Sequence, residues 1–244
     1  MVTLCKELGV NIYNNQEIIS CNYNDNKISE LVTKSGIFKS DIVICSADYN
    51  HFDHQILEPK YRNYTEKYWD SRVMSPSCLI YYLGVDTKIN KLEHHNLFFD
   101  KDIDKHTEDI YENIKWPEDP LFYVCCPSKT DNLVSPNGKE NLFLLMPISS
   151  GINDTNKIRE EYFKKMIDRL ESYCGQIISD KIIVKKSYCI NDFKDDYNAY
   201  KGNAYGLANT LSQTANLKPK IKNKHLINLY YTGQLTVPGP GVPP

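Results

Sequence analysis

The last seven residues of the sequence, 238–244, combine four prolines with two glycines. Proline fixes φ, and glycine permits backbone angles and close approaches that other residues cannot make. The run follows the strand-like stretch 226–231 and the pair Gly233-Gln234. A strand that leads into such a loop can set its backbone against a flat or phosphorylated ligand. A hairpin loop or a turn between domains is the alternative interpretation.

A second stretch combines glycines with a predicted helix start. Gly202 and Gly206 bracket Asn203-Ala204-Tyr205, and the pattern of LANTLSQTA, which follows, predicts a short helix. Glycines ahead of a helix N-terminus allow backbone N–H groups to approach a ligand closely. On these residues alone, a turn at a helix start is the favoured interpretation, and ligand binding is the alternative.

The other titratable residues form no catalytic or metal-binding pattern. The motifs GxGxxG, GxxxxGK[ST], HExxH and GxSxG are all absent. We expect His94 and His95 to point to opposite faces of a strand, which prevents them from sharing a metal ion. His51 and His54, with Asp53 between them, are typical of a solvated helix face. The sequence therefore predicts no metal site and assigns no catalytic residue.

Composition excludes several classes of protein. The 244 residues are 25% charged and 41% hydrophobic with a net charge of −2, which is ordinary for a globular protein and gives no electrostatic case for nucleic acid. The eight cysteines include no CxxC pair, which favours reduced thiols in an intracellular protein. No signal peptide is evident, and no apolar run approaches the roughly 18–20 residues of a spanning helix. Any membrane contact is therefore expected to be peripheral.

Hydrophobic periodicity predicts a mixture of strands and helices. The continuous apolar run 42–45 is typical of a strand buried on both faces of a parallel sheet. The predicted strands are residues 10–13, EIISCNY with KISELVT as a hairpin, DIVIC, SPSCLIYYLGV, LEHHNLFFD, DPLFYVCCPS, NLFLLMPIS, IIVKKSYCI and HLINLYYTG. The predicted helices are one that ends at Gly9, a surface helix in RNYTEKYW, residues 103–114, KIREEYFKKMIDRLESYCG with Gly175 as its cap, and LANTLSQTA. The fold class is α/β or α+β.

Several of these stretches, in this order, resemble the C-terminal part of the phytoene desaturase family of flavin-dependent carotenoid desaturases. They are SPSCLIYYLGV, LEHHNLFFD, WPEDPLFYVCCPSKTD, SPNGKENLFLLMPIS, DYNAYKGNAYGLANTLSQTA and NLYYTGQLTVPGPGVPP. With the early LGVNIYNN…DIVICSADY segment, the resemblance covers nearly the whole chain. Long motifs in a fixed order are more specific than any single loop.

The resemblance implies a two-domain flavoprotein of α/β class. A partial Rossmann-like FAD-binding domain would comprise residues 1–55 and 226–244, and a mixed-sheet α+β substrate domain would comprise residues 56–225. Gly233 and Gln234 would lie near the flavin diphosphate, and the loop with Pro238, Gly239, Gly241 and Val242 would run beside the isoalloxazine ring. The substrate-binding residues would be Gly202, Asn203, Tyr205 and Gly206.

The activity implied by the resemblance is FAD-dependent desaturation of a carotenoid precursor such as phytoene. The substrate would be a long apolar polyene, and the protein would be cytoplasmic and peripherally attached to a membrane surface. Glycines leave room for the flat flavin ring, and prolines reduce the entropy lost on ordering the loop. The alternatives are a carotenoid isomerase, saturase or oxidase, and a flavin-free carrier of apolar lipids on the same fold.

The sequence departs from the family in one respect. The family begins with a strand–GxGxxG–helix unit that holds the FAD pyrophosphate, and no such unit is present here. The resemblance also leads us to expect a final helix after GVPP. The sequence is therefore interpreted as a fragment truncated at both ends, and a shortened protein that holds FAD poorly is the alternative.

Overall fold

The computed structural model describes residues 1–240, which form ten β-strands and six α-helices. The strands are β1 (Ile18–Asn24), β2 (Lys27–Thr33), β3 (Ile37–Phe38), β4 (Val43–Cys45), β5 (Ser77–Val85), β6 (His95–Phe98), β7 (Phe122–Cys125), β8 (Glu140–Ile148), β9 (Ile182–Tyr188) and β10 (Leu229–Tyr231). The helices are α1 (Val2–Glu7), α2 (Tyr49–His51), α3 (Glu66–Asp70), α4 (Ile103–Tyr111), α5 (Asn156–Cys174) and α6 (Ile190–Tyr197).

The chain divides into two units, each of which is described by itself. The first unit comprises Met1–Arg72 and Ala215–Gly239, and the second comprises Val73–Thr214 with Pro240. All eight cysteines are free thiols. Among the described residues, none of the helices combines the length and the apolar character that crossing a bilayer requires.

The first unit contains an antiparallel sheet of β1, β2 and β3. The predicted hairpin is confirmed, since Asn24 lies opposite Lys27 and a two-residue turn connects β1 to β2. Asn228, the residue before β10, attaches this sheet to the C-terminal part of the chain. Its side chain accepts the Ile28 N–H at 3.0 Å and donates to the Ile28 carbonyl at 2.9 Å.

A second sheet in the first unit pairs β4 with β10 in parallel. The parallel pairing expected for residues 42–45 is thus confirmed. Val43 and Cys45 are buried, whereas Ile44 is 68% exposed, so burial on both faces is not found within residues 1–240. The parallel pairing places the C-terminal ends of β4 and β10 side by side, although β4 is buried on one face only.

The second unit is built on a five-stranded sheet in the order β6-β7-β8-β5-β9. Helix α5 packs on one face, where Tyr81, Leu144 and Met146 meet Met166 and Leu170 in a fully buried core. Each such side chain contributes about 1.5–3 kcal/mol by leaving water. The α/β fold class is confirmed with one refinement, because the mixed sheet predicted for the substrate domain is antiparallel throughout.

The ends of α5 follow the sequence signals closely. The Thr155 hydroxyl accepts the Ile158 N–H at 3.3 Å and caps the first turn. Gly175 takes a left-handed φ of 66° directly after the last turn, as its predicted capping role requires.

One prediction for the first unit is wrong and another is confirmed in part. Residues 10–13 form no strand, because Val10 donates its N–H to Cys5 across the end of α1 and Tyr13 packs its ring on Phe38. RNYTEKYW is helical only from Glu66, where α3 begins. Glu66 and Lys67 are exposed as predicted for a surface helix, but Trp69 is fully buried.

Two predictions for the second unit are also wrong. LANTLSQTA forms no helix, because Leu207 bridges Met74 and the Ala208 N–H donates to the Val73 carbonyl, as in a strand pair. The predicted strand IIVKKSYCI ends before its last residue, and α6 begins at Ile190, where no helix is predicted. The Asp192 carboxylate accepts the Cys189 N–H at 2.8 Å at its start, and Asn198 ends it with a φ of 52°.

Candidate functional site

The chain leaves β4 and β10 at the same edge of their parallel sheet. Thr232 extends the pairing by donating its N–H to the Cys45 carbonyl at 2.9 Å. Beyond this bond Ser46, Ala47 and Gly233 are all exposed. Ligands of open α/β sheets bind outside the carboxyl ends of the strands, so this edge is the candidate cofactor site of the first unit.

Gly233 gives this edge a backbone position without a side chain. Its φ is 118°, a conformation that residues with a Cβ rarely adopt, and an added Cβ would lie 4.0 Å from the Ser46 carbonyl oxygen. Thr236 closes the turn, since its N–H and its hydroxyl donate to the Gly233 carbonyl at 3.1 and 2.9 Å. Gln234 lies inside this turn. The turn thus offers bare backbone on its outer side, which suits a flavin diphosphate.

The Pro-Gly loop is held by a buried lysine that sequence reasoning missed. Lys218 is 3% exposed and donates to the Pro238 carbonyl at 3.3 Å. Gly239 has a φ of 126°, and an added Cβ would come within 2.6 Å of the Lys218 Nζ. The Val237–Pro238 peptide is cis. In the sequence, Lys218 looks like Lys220, Lys222 and Lys224, which are exposed, and only burial distinguishes it.

Two of the predicted flavin contacts, Gly241 and Val242, lie outside the described residues. The roles of Gly233, Gln234, Pro238 and Gly239 toward a flavin stay predictions. The residues present fit a flavin. The edge combines exposed backbone, two glycines with positive φ (Gly233 and Gly239), and a loop that Lys218 holds in place.

A buried polar network supports β10 just before this edge. The Tyr231 ring stacks on Tyr49 with centroids 3.8 Å apart, and its hydroxyl donates to Asp53 at 2.5 Å. Asn63 donates its backbone N–H to the other Asp53 oxygen at 3.0 Å and its side-chain amide to the Tyr49 hydroxyl at 2.6 Å. The interpretation of residues 51–54 as a solvated helix face is therefore wrong for Asp53, which is fully buried.

Burial shifts the pKa values of this network. Loss of water raises the pKa of Asp53 to about 6, and hydrogen bonds from Tyr231 and Asn63 oppose that rise. Burial, with the nearby Asp53 charge, raises the pKa of Tyr231 and of Tyr49 above their usual range. Both phenols stay protonated at neutral pH and act as hydrogen-bond donors or acceptors.

In the second unit, hydrogen bonds hold the turn 202–206 in place, and the roles of its residues toward a substrate stay predictions. Gly202 has a φ of 61°, its carbonyl accepts the Ser77 hydroxyl at 2.6 Å, and an added Cβ would lie 2.6 Å from the Ile190 carbonyl oxygen. Asn203 is 1% exposed, and its side-chain oxygen accepts the Gly206 N–H at 2.7 Å. The helix N-terminus expected after Gly206 does not form. Among the four predicted substrate-binding residues, Tyr205, at 50% exposure, presents a side chain that a ligand can contact.

The five-stranded sheet has an apolar second face, which is opposite to α5 and was not singled out from the sequence. Directly paired residues lie on the same face of a sheet, so the strand registers define its rows. One row is Leu97, Tyr123, Leu145, Ile80 and Tyr188, and the next is His95, Cys125, Phe143, Tyr82 and Lys186. On this apolar second face Leu97 and Tyr82 are exposed, whereas Ile80 is 8% exposed and the Tyr188 ring packs on Phe193 of α6. Antiparallel sheets usually present polar residues on a face that is not packed on the core, so these exposed apolar side chains are unusual.

The expectation that His94 and His95 point to opposite faces is wrong. Their ring centroids are 4.2 Å apart. His94 precedes the first residue of β6, so the strict alternation of a strand does not apply to it.

Residues 2–239 match the family described as flavin containing amine oxidoreductase. The chain is 38% identical over 243 residues to the carotenoid 3,4-desaturase of Haloarcula japonica, covering 100% of this chain and 49% of the relative. It is 30% identical over 262 residues to the 4,4'-diapophytoene desaturase (4,4'-diaponeurosporene-forming) of Staphylococcus aureus strain Newman, covering 100% of this chain and 51% of the relative. The chain thus spans about half the length of these curated relatives.

An oxidoreductase from Methanosarcina mazei has a similar fold. It superposes with a TM-score of 0.62 at 14% identity, covering 96% of this chain and 47% of that protein. Similarity at this level of identity shows the fold alone. The family match, which extends over nearly every described residue, shows that the chain belongs to the flavin-containing amine oxidoreductase family.

Proposed function

We propose that this chain acts in the FAD-dependent desaturation of a carotenoid precursor such as phytoene. The observation that carries the substrate class is the apolar second face of the five-stranded sheet, on which Leu97, Phe143 and Tyr82 are exposed or half-buried. The names of the curated relatives support the reaction type. FAD, when bound, supplies the two-electron oxidation that converts a carbon–carbon single bond into a double bond.

In this proposal, residues 1–55 and 226–244 belong to the FAD-binding domain. The bare backbone at Gly233 binds the flavin diphosphate, and the turn closed by Thr236 orients it. Lys218 fixes the Pro238 carbonyl, so the loop at Gly239 needs little further ordering on binding.

Residues 56–225 form the substrate domain in this proposal. Phe143, Leu145 and Tyr123 bind the polyene through apolar contact, since a hydrocarbon offers no hydrogen-bonding group to recognise. Tyr205, exposed beside the rigid turn at Gly206, offers a further aromatic ring to the substrate. These residues hold the hydrocarbon and exclude water.

Contact with a membrane surface belongs to the same proposal, since a long polyene dissolves in lipid rather than in water. Leu211 and Leu133, on loops of the second unit, are each 94% exposed. Loop leucines this exposed are suited to shallow insertion into a bilayer. Co-sedimentation with anionic phospholipid vesicles tests this contact, and a Leu211→Gln, Leu133→Gln double variant should remain in the supernatant. Equal sedimentation of the double variant would contradict it.

A chimera tests the proposed reaction. In this desaturase chimera, the chain replaces the matching segment of the Haloarcula japonica relative. We expect a yellow protein that retains FAD and shifts the absorption of a supplied polyene to longer wavelength, because desaturation extends conjugation.

Other outcomes would contradict desaturation. A flavin-loaded chimera that shortens the conjugation is a saturase, one that only isomerises the polyene is an isomerase, and one that adds oxygen is an oxidase. A colourless chimera that still binds polyene acts as an apolar-lipid carrier.

A further inference from the structure

Three side chains that can bind a metal ion meet at one end of the five-stranded sheet. His95 in β6 lies directly opposite Cys125 in β7, and the His94 carbonyl accepts the Cys126 N–H at 2.8 Å. One ring nitrogen of each histidine and the Cys125 sulfur lie within 4.8 Å of one another. The backbone pairing of two strands thus fixes the positions of all three ligands.

The distances are close to those that a tetrahedral zinc-class cation needs. Zn–N bonds of about 2.0–2.1 Å and Zn–S bonds of about 2.3 Å place two nitrogens and one sulfur in tetrahedral positions about 3.3–3.6 Å apart. Side-chain rotations that move the ligand atoms by about 1 Å would bring them to these separations. His95 is exposed, and His94 and Cys125 are half-buried, so none of the three is locked by close packing.

Both imidazoles are already oriented by a second group. The Nδ1 of His94 lies 2.5 Å from the Thr130 hydroxyl, and the Nδ1 of His95 lies 2.5 Å from the Tyr123 hydroxyl. Metal-binding histidines commonly make such a hydrogen bond through one ring nitrogen, which leaves the other nitrogen to bind the cation. Thr130 and Tyr123 would be positioning residues for the site.

The adjacent residues Cys125 and Cys126 lie on opposite faces of the sheet. Cys126 is fully buried in the core on the α5 side, whereas Cys125 reaches the other face beside the histidines. The alternation of side chains along a strand places neighbouring residues on opposite faces, so only Cys125 can serve as a ligand.

We propose that His94, His95 and Cys125 bind one divalent cation of the zinc class, with a fourth coordination position left to water. Two nitrogens and a thiolate suit borderline-soft ions such as Zn²⁺ and disfavour Mg²⁺ or Ca²⁺, which prefer oxygen ligands. A bound cation would cross-link β6 to β7. The proposal does not depend on flavin binding or on the desaturation proposed above.

Cobalt titration tests the site. The 244-residue chain is purified metal-free with its thiols reduced and is titrated with Co²⁺. We expect one equivalent to give a thiolate-to-cobalt charge-transfer band and the intense visible bands of tetrahedral coordination, both of which one equivalent of Zn²⁺ bleaches. Cys125→Ser should abolish the charge-transfer band. His94→Asn and His95→Asn should each weaken Co²⁺ binding at least about tenfold, and Tyr123→Phe about tenfold.

The matched controls substitute a cysteine and a histidine that lie outside the proposed site. Cys5→Ser and His51→Asn should leave the titration unchanged. Alkylation of the unmodified chain gives a readout that needs no variant, since Zn²⁺ should protect Cys125 alone among the accessible thiols. The proposal is overturned if no charge-transfer band forms, if the band persists in Cys125→Ser, or if Zn²⁺ leaves the alkylation of Cys125 unchanged.

Discussion

Tyr231 donates its hydroxyl hydrogen to Asp53 across 2.5 Å, although 178 residues separate them in the sequence. The bond connects the last residue of β10 to the helical turn that follows α2. Both side chains are almost completely buried. The end of β10, just before the edge at which Gly233 emerges, is therefore held by a polar contact to a titratable carboxyl group.

We expect the stability of the first unit to fall as pH rises from about 4 to 6. The pKa of Asp53 is raised from 3.8 to about 6 in the folded chain, so the native state holds a proton that the unfolded chain has lost in this window. A shift of about two units corresponds to about 3 kcal/mol. Urea unfolding followed by Trp69 fluorescence in a Trp116→Phe background measures it.

Asp53→Asn removes the titrating carboxyl group. The free energy of unfolding of this variant should therefore change less between pH 4 and 6 than that of the unmodified chain. The difference in slope between the two proteins is therefore the decisive quantity. Tyr231→Phe removes a bond that favours the charged carboxylate, so it should raise the folded-state pKa of Asp53 and extend the window to higher pH. Identical slopes in all three proteins would contradict the burial argument.

Gly202→Ala should destabilise the second unit by about 2–4 kcal/mol. The new Cβ would lie 2.6 Å from the Ile190 carbonyl oxygen, and the positive φ adds backbone strain. Gly151→Ala is the matched control, since its φ is also positive but its Cβ meets only the flexible Lys201 side chain at 3.6 Å. Thermal unfolding of both variants should separate the clash from the strain, and equal losses would argue against the clash.

Gly233→Ala should reduce the FAD retained by the desaturase chimera at least tenfold. The added methyl group occupies the outer side of the turn where the diphosphate is proposed to lie. Gly9→Ala is the control, because Gly9 has a φ of 81° in the same unit and nothing within 4 Å of an added Cβ. Flavin released by heat is measured by absorbance. Equal retention by the two variants would remove Gly233 from the site.

Lys218→Met should weaken FAD binding by about tenfold while leaving the fold intact. The substitution removes a charge-assisted hydrogen bond to the Pro238 carbonyl, worth about 1.5–3 kcal/mol, that keeps the loop in place. Lys220→Met is matched to it, since Lys220 also donates to a backbone carbonyl, that of Asn216, but is exposed. Fluorescence titration with FAD compares the two. A loss of the same size in Lys220→Met would show that the loop does not depend on Lys218.

Phe143→Asn should raise the KM of the chimera for its polyene about tenfold or more, with FAD retention unchanged. Phe143 lies at the centre of the apolar second face, 5.5 Å from the Tyr82 ring, and an amide there makes the surface polar. Lys186→Asn changes a polar residue at the edge of the same row and should have no effect. Steady-state kinetics in detergent-dispersed substrate give both values, and an unchanged KM in Phe143→Asn would remove this face from the polyene site.

The sequence by itself determined the elements whose signals are local. The β1–β2 hairpin follows from alternation around a polar turn. Helix α5 follows from apolar residues at three-to-four spacing and from Gly175, whose αL conformation ends the last turn. The order of motifs was sufficient to identify the family, and the parallel pairing of β4 followed from its continuous apolar run.

Tertiary structure decided the features that depend on partners distant in the sequence. Residues 207–214 have the composition of a short helix, yet their backbone pairs with Met74 and Val73 instead. Lys218 differs from its neighbouring lysines only in being buried, and burial is a property of packing rather than of residue type. His95 and Cys125 meet because β6 and β7 pair in one register, and Asp53 meets Tyr231 because the helical turn after α2 packs on β10. Local propensity amounts to less than about 1 kcal/mol per residue, so such long-range contacts outweigh it where the two disagree.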